Sequence, residues 1–554
     1  MKRYIPIVMF LVMVFLPFSA QASAYFSDVP AGHWAAAHID ELRELGITSG
    51  MGDGTFGMGR QITRAEFVTM LVNLRQPIDD LTQRYVDVNP GDWFFARVNT
   101  AWLLRFTDDI DGDYFRPNDP ITREEMAVMI VNSMGYAYQE LAGRAFLAGD
   151  VFTDISGNKG HITIAKDLGI IAGISPTEFG PAQTATREQS AAMIMRMHNI
   201  LERRITEVHG FYAIAAFNQV HMLADMDTVS FGWSLLETDG SGVWLNTGSA
   251  GGNEFRIPAG HDIPWSAANH ANRLLMIAVR ESDSPNIINN PALREGALNA
   301  IATAINNGLE TPTGERLHFN GVTLNFEGLR GEETRNNYTA FVRQLRERIG
   351  DKLLYVTVQP PRHSGLAYFN GYDFRAIGEV ADRVILMAHD YNAKVLTQEQ
   401  MAWGINPIMG DLAPLDEVYF ALRALTDSET GVADISKIML QLNFATAQWK
   451  LQDGAVINSR PFTPSYDAIA ERIRAGAVIN NLGFVPSPHI LFYDNNDNTN
   501  NIVQFEDEQS VRQKIRLAGS FGVQGISLWR LGIVPDFDDI EGLAVFDTIV
   551  KWRE

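Results

Sequence analysis

Two hydrophobic patterns divide the chain. Up to about residue 204, apolar positions recur at the spacing of amphipathic helices, punctuated by short polar and glycine-containing segments. From Ile205 onward they gather instead into eight short β-rich runs: His209–Phe217, Thr228–Trp233, Leu274–Val279, Gly321–Glu327, Leu353–Gln359, Arg383–His389, Ile438–Asn443 and Gly525–Trp529. Most are nearly continuous apolar strings, the mark of strands buried on both faces. Helix-compatible stretches such as Tyr338–Arg348 and Gln509–Phe521 lie between them. Alternating strand and helix signals specify βα units around a parallel sheet. Eight units in about 350 residues predict a (β/α)8 TIM barrel with insertions, the longest between the seventh and eighth strands. The expected architecture is multidomain, an α-rich N-terminal unit followed by a barrel over 205–554.

The α-rich part repeats itself three times. Phe26-Ser27-Asp28-Val29 recurs as Tyr85-Val86-Asp87-Val88 and as Phe152-Thr153-Asp154-Ile155. Each copy continues into a helical stretch with a stop such as Leu45-Gly46-Ile47 or Leu168-Gly169-Ile170. Each closes on Thr-Arg ahead of an apolar helix: Thr63-Arg64-Ala65-Glu66, Thr122-Arg123-Glu124-Glu125 and Thr186-Arg187-Glu188-Gln189. Thr followed three residues later by Glu is a capping box. A cap does not require Arg64, Arg123 or Arg187, which fall 59 and 64 residues apart. The repeats are bounded at 25–82, 83–146 and 147–204.

Residues 1–24 change the compartment. Lys2 and Arg3 open a basic start, Ile5 to Phe18 is apolar, and Ala22-Ser23-Ala24 offers small residues for cleavage. This is the pattern of a secretory signal peptide. Its removal takes the net charge from −21 to −23 through loss of Lys2 and Arg3. So acidic a protein has no surplus basic surface for phosphates, and no nucleic-acid partner is expected. With no cysteine, disulfide scaffolds, thiolate nucleophiles and cysteine-ligated metals are excluded. The twelve histidines do not cluster at ligand spacing, so neither a metal nor a cofactor is expected. No later segment is apolar enough to span a membrane.

The string that runs from Phe26-Ser27-Asp28-Val29-Pro30 through His33-Trp34-Ala35 and Asp53-Gly54-Thr55-Phe56 to Ile62-Thr63-Arg64-Ala65-Glu66-Phe67 resembles the S-layer homology (SLH) repeat. Three copies cover about Tyr25 to Leu201. The resemblance implies a module that binds secondary cell-wall polymer, often pyruvylated, with Arg64, Arg123 and Arg187 in its binding grooves. A guanidinium beside free helix N–H groups suits a carboxylate. The motif is whole only in the first repeat, Gln189 replaces its last Glu in the third, and the third lacks a counterpart of Trp34 and Trp93. One or two working grooves are therefore expected, with a spacer lacking any live site as the alternative. The implied location is secreted and non-covalently held at the bacterial wall.

In the barrel, active-site residues belong at the C-terminal ends of strands, which singles out Glu327, His389, Asp390, Asn443 and Trp529. Thr323, Asn325 and Glu327 alternate and share one face. With Val322, Leu324 and Phe326 turned outward, this polar set points into the mouth, as a catalytic group or as a satisfied cluster with Glu327 paired to a cation. Phe319-Asn320-Gly321-Val322-Thr323-Leu324-Asn325-Phe326-Glu327 resembles the signature strand of glycoside hydrolase family 18, Asp-Gly-x-Asp-x-Asp-x-Glu, with the three aspartates replaced by Asn320, Thr323 and Asn325. Met387-Ala388-His389-Asp390 resembles that family's Met-x-Tyr-Asp. Gly525–Gly532 resembles its segment bearing the sugar-stacking Trp, and Phe505–Ser510 resembles a stretch of the spore-cortex-lytic glucosaminidases.

The resemblance implies hydrolysis in which the substrate's own acetamido oxygen is the nucleophile. Glu327 would be the acid/base, Asn325 would orient the acetamido group, His389 in place of the family's Tyr would hydrogen-bond its oxygen, and the family's catalytic Asp is kept as Asp390. Trp529 would form the floor, with Met387, Thr323 and Asn443 contributing to sugar binding. The implied substrate is a cell-wall glycan containing N-acetylglucosamine, peptidoglycan ahead of chitin. Asn325 supplies no negative charge to a cationic intermediate, so a wall-anchored protein that binds amino sugars without cutting them is the competing expectation.

Overall fold

A computed structural model of the chain describes residues 25–553 apart from 31, 76–78, 109, 111, 150, 214, 363–369, 405–411 and 481–487. The stretch read as an export signal, residues 1–24, lies outside the described residues. Among those described, no helix is long and apolar enough to cross a membrane. Two compact units emerge, one of residues 25–133 with Ile170–His198, the other of Met134–Gly169 with Asn199–Glu554.

The first unit is built around the ends of three helices, Arg64–Arg75, Arg123–Ser133 and the start of Arg187–Leu201. The expected caps are present: Thr63 N–H donates to Glu66 and Thr122 N–H to Glu125, while Thr186 N–H donates to Gln189 Oε1. The segments just ahead of these helices join in a ring. Arg64 N–H donates to Asp119 O, Arg123 N–H to Gln183 O and Arg187 N–H to Arg60 O, each between 2.8 and 3.0 Å. The opening aspartates of the first two repeats also fasten their own loops. Asp28 accepts from the backbone N–H of Phe56, Gly57 and Met58, which hold its pKa below the usual range against the opposing effect of burial. Asp87 accepts from the backbone N–H of Phe115 and Arg116.

The second unit contains a closed barrel of eight parallel strands: β1 Glu207–Tyr212, β2 Thr228–Thr238, β3 Asn272–Val279, β4 Gly321–Asn325, β5 Leu353–Val358, β6 Arg383–Leu386, β7 Ile438–Asn443 and β8 Gly525–Trp529. Neighbours in sequence are neighbours in the sheet, and β1 pairs with both β2 and β8. All eight expected runs are strands; β7 and β8 keep the expected bounds and the other six shift at one or both ends. β1 starts two residues earlier and stops at Tyr212, because the chain turns through Ala215 at φ 53°. β4 and β6 stop at Asn325 and Leu386, so Glu327 and His389 sit beyond the ladder, where diverging loops end the pairing.

Inside the barrel an apolar layer of Phe211, Leu274, Met276, Tyr355, Ile385 and Met439 adjoins a polar chain. Thr323, Ser230, His209 and Ser527 are hydrogen-bonded in sequence at 2.6, 2.7 and 2.8 Å. Burial pushes His209 down to about 3, so it serves as a neutral imidazole between two hydroxyls. Outside, Phe326 packs on Tyr338 and Phe341 of helix Glu332–Ile349, at ring separations of 5.7 and 5.3 Å. The alternation along β4 therefore runs as its pattern predicts.

The long insertion between β7 and β8 forms a four-stranded antiparallel sheet from Ala447–Gln452, Ala455–Val456, His489–Asp494 and Thr499–Gln504. Its Trp449, Val456 and Ile502 pack with Leu396, from the loop after β6. The helices Tyr136–Ala145 and Lys159–Asp167, which precede and open the third repeat's helical part, belong to the barrel's unit. Asp167 is gripped by Arg423 and by the Tyr419 hydroxyl, each at 2.7 Å, while Arg144 pairs with Asp416 at 2.8 Å.

Candidate active site

A cavity of about 550 Å³ opens at the C-terminal ends of the strands, lined by Asn325, Glu327, Met387, His389, Asp390 and Trp529 among others. Six of the sequence-predicted residues therefore converge. Glu327, two residues past β4, accepts a hydrogen bond from Asn325 Nδ2 at 3.0 Å. Asn325 is oriented in turn by Thr357, whose hydroxyl donates to its Oδ1 at 2.8 Å. Burial raises the Glu327 pKa, and the nearby charges of Asp390 and Glu281 push the same way against Asn325 and His389. A carboxyl so placed holds its proton above the usual glutamate range, as a general acid must.

Across the cavity His389 is fixed at both ring nitrogens, Nδ1 to Asp390 Oδ2 at 2.8 Å and Nε2 to Gln441 Oε1 at 2.6 Å. Burial alone would lower its pKa, but the bond and charge of Asp390, with Gln441 and Glu327, raise it. Asp390 responds in the opposite sense. Burial opposes ionisation, yet His389 and Lys394 drive its pKa far below the usual carboxylate range. Asp390 stands at φ 64°, a left-handed conformation rare outside glycine. Asn443 Nδ2 reaches the same Asp390 oxygen at 3.2 Å, so its visible task is to hold the His389–Asp390 pair. Trp529 meets the Phe211 ring edge to face at 5.0 Å. Thr323 does not line the cavity; it is fully buried a layer below, bonded to Ser230.

Glu281, Gln359, Arg362, Tyr391, Lys394 and Gln441 also line the cavity and were not singled out from sequence. Gln441 had a signal, sharing a strand face with Asn443 by alternation. Arg362 and Lys394 had none, since loop residues carry no period. A second cavity, about 750 Å³, lies outside the barrel mouth beside Arg474 and Asp539. Those two are locked together at 2.9 Å, and none of the predicted chemistry is there.

The three repeat arginines all reach across to a neighbouring repeat. Arg64 Nε donates to Glu125 Oε1 at 3.0 Å. Arg187 lies 3.5 Å from Glu66 and stacks over Phe56 at 5.1 Å. Around the ring, the third repeat offers Gln189 where the others offer Glu. Arg123 instead donates to the carbonyl oxygens of Phe179 at 2.9 Å and Ala172 at 2.6 Å, over the Phe179 ring.

The sequence matches two family profiles. Glycosyl hydrolases family 18 covers residues 285–533, and the S-layer homology domain covers 25–68, 84–127 and 151–191. The chain thus carries three S-layer homology repeats, a module of cell-surface anchoring, followed by a glycosyl hydrolase family 18 barrel. An S-layer protein of Bacillus thuringiensis subsp. finitimus is 30% identical over 200 residues, 35% of this chain and 24% of that one. The S-layer protein sap of Bacillus anthracis is 32% identical over 182 residues, 32% of this chain and 22% of that one. The chain therefore spans less than a quarter of the length of either relative. Among solved structures, the spore cortex-lytic enzyme SleL of Bacillus cereus aligns with 64% of this chain and 75% of its own, at 17% identity and TM-score 0.47.

Proposed function

We propose that this protein is a wall-anchored glycosidase that hydrolyses β-1,4-linked glycan containing N-acetylglucosamine, peptidoglycan in preference to chitin. The observation that carries the reading is Glu327, a desolvated carboxyl with a raised pKa, facing the same cavity as Trp529. Glu327 protonates the leaving glycosidic oxygen while the substrate's acetamido oxygen attacks the anomeric carbon; the resulting carboxylate then activates water, and configuration is retained. Asn325 positions the acetamido group, the His389–Asp390 pair, held by Gln441, Asn443 and Lys394, stands across the cavity from Glu327, and Trp529 supports the sugar. The SLH repeats hold the exported protein to secondary cell-wall polymer, in its pyruvylated form.

A second reading, binding without hydrolysis, is favoured by one observation. Asn325 is neutral, so a cationic oxazolinium would lack the charge that stabilises it. The deciding experiment is digestion of purified cell wall, with new reducing ends read by mass spectrometry. Fragments ending in N-acetylglucosamine, absent with Glu327→Gln, are the expected result. Intact wall after incubation with the unaltered protein, with wall binding retained, would establish the second reading.

A further inference from the structure

Glu327 lies beyond the reach of the sheet. β4 ends at Asn325, so ladder hydrogen bonds do not fix the two peptide groups that flank Glu327. Other groups do. On the N-terminal side, the carbonyl oxygen of Phe326 accepts from the Tyr372 hydroxyl at 2.7 Å. On the C-terminal side, the Gly328 N–H donates to Gln359 Oε1 at 2.7 Å. A backbone N–H can only donate, so the Gln359 amide is turned with its oxygen toward Gly328. The Tyr372 hydroxyl also lies 3.3 Å from that oxygen, which closes a clamp around a single residue.

Both arms of the clamp are anchored. Gln359 directly follows β5. Tyr372 ends a segment that runs along the Glu327 loop: Gly331 N–H donates to Asn370 Oδ1 at 2.7 Å, and Gly371 N–H to Leu329 O at 3.1 Å. The Tyr372 ring is buried edge to face with Tyr338 at 5.8 Å, and Phe326 packs on the same Tyr338. Burial holds the Tyr372 pKa well above the usual tyrosine range, so its hydroxyl remains a donor wherever Glu327 titrates. Tyr372 does not line the cavity. It can affect a bound glycan only through the residues it holds.

A general acid delivers its proton only within hydrogen-bond reach of the leaving oxygen. A misplacement of about 1 Å can cost about a hundred-fold in rate. Building on the reading of Glu327 as the acid/base, we propose that Tyr372 and Gln359 are its positioning residues, fixing the peptide groups before and after it and so aiming its carboxyl into the cavity. Asn325 steadies the carboxyl itself, and the clamp steadies the backbone beneath it.

The test uses the full chain and soluble glycan strands freed from purified cell wall by an amidase, with initial rates read as new reducing ends. Tyr372→Phe removes only the hydroxyl, and Gln359→Met removes the acceptor at nearly the same length. Tyr466→Phe is the control, since its buried hydroxyl also bonds backbone, at Glu506, and lies off the cavity. kcat should fall about ten- to a hundred-fold in Tyr372→Phe and, independently, in Gln359→Met, with KM within about twofold of the parent. Tyr466→Phe should keep the parent kcat. The alkaline limb of the pH profile should move to lower pH in both clamp variants, because a loosened Glu327 regains water and its raised pKa relaxes downward. Thermal melts establish which variants are folded at the assay temperature, and either clamp variant alone decides. An unchanged kcat, a loss matched by Tyr466→Phe, or a rise in KM alone overturns the clamp while leaving Glu327 as the acid. No cleavage of the strands by the unaltered protein overturns the acid reading and the clamp with it.

Discussion

Asn325 donates its amide to Glu327 at 3.0 Å, and an amide orients a neighbour without lending it charge. Replacing it by Asp restores an anion beside the acetamido group. In Asn325→Asp, kcat on wall glycan should rise by about a hundred- to a thousand-fold, the usual worth of one preorganised electrostatic partner. An unchanged kcat would mean that Asn325 is not the residue limiting the chemistry. The pH profile gives a second readout at the same scale. Because Glu327 acts as the acid and burial raises its pKa, activity is present below that raised value and falls as pH climbs through it. A carboxylate at position 325 disfavours ionisation of Glu327 further, so the alkaline limb in Asn325→Asp should shift to higher pH.

At the scale of elements, the stop after the first helix of each repeat is instructive. Gly46 and Gly169 end theirs at φ 71° and 69°, and an added Cβ at either would meet nothing within 4 Å. The second repeat places Arg105 in the same conformation at φ 64°, where a Cβ costs about 1 kcal/mol. Arg105→Gly should therefore stabilise the repeat unit by somewhat less than that, since the exposed Arg105–Asp108 pair at 2.8 Å is lost with it. Denaturant midpoints measure the gain, and a lower midpoint would sink the argument. Gly321 is small for a different reason. A Cβ there would lie 2.1 Å from Leu353 O on β5, so Gly321→Ala should force the two strands apart and cost about 3 kcal/mol in the same assay.

On the scale of the whole chain, compact units and sequence repeats do not share boundaries. Residues 134–169 fold with the barrel, and Asp167, nearly buried, satisfies both Arg423 and Tyr419 of helix Leu415–Leu425. Asp167→Ala leaves that arginine without its carboxylate, a change expected to cost about 3 kcal/mol. Hydrogen exchange in Leu415–Leu425 should speed up accordingly, although the substitution lies in a segment that sequence assigns to the third repeat. Unchanged protection of that helix would separate the segment from the barrel.

Local patterns determined much of this protein. Short β-rich runs, most of them nearly continuous apolar strings, marked all eight barrel strands, Thr-x-x-Glu marked helix starts, and alternation along β4 placed Glu327 with Asn325 facing the mouth. Each signal acts within a few residues, through strand period or capping geometry. What the tertiary structure alone decided are meetings between distant positions: His389 with Gln441 and Asn443, Arg362 beside Tyr391, and each repeat arginine against the next repeat. Those pairings depend on barrel closure, strand register and the ring of repeats, none of which leaves a period in the sequence. Thr323 makes the same point. Its face was legible, but its depth was not, because depth is set by how far the neighbouring strands extend above it.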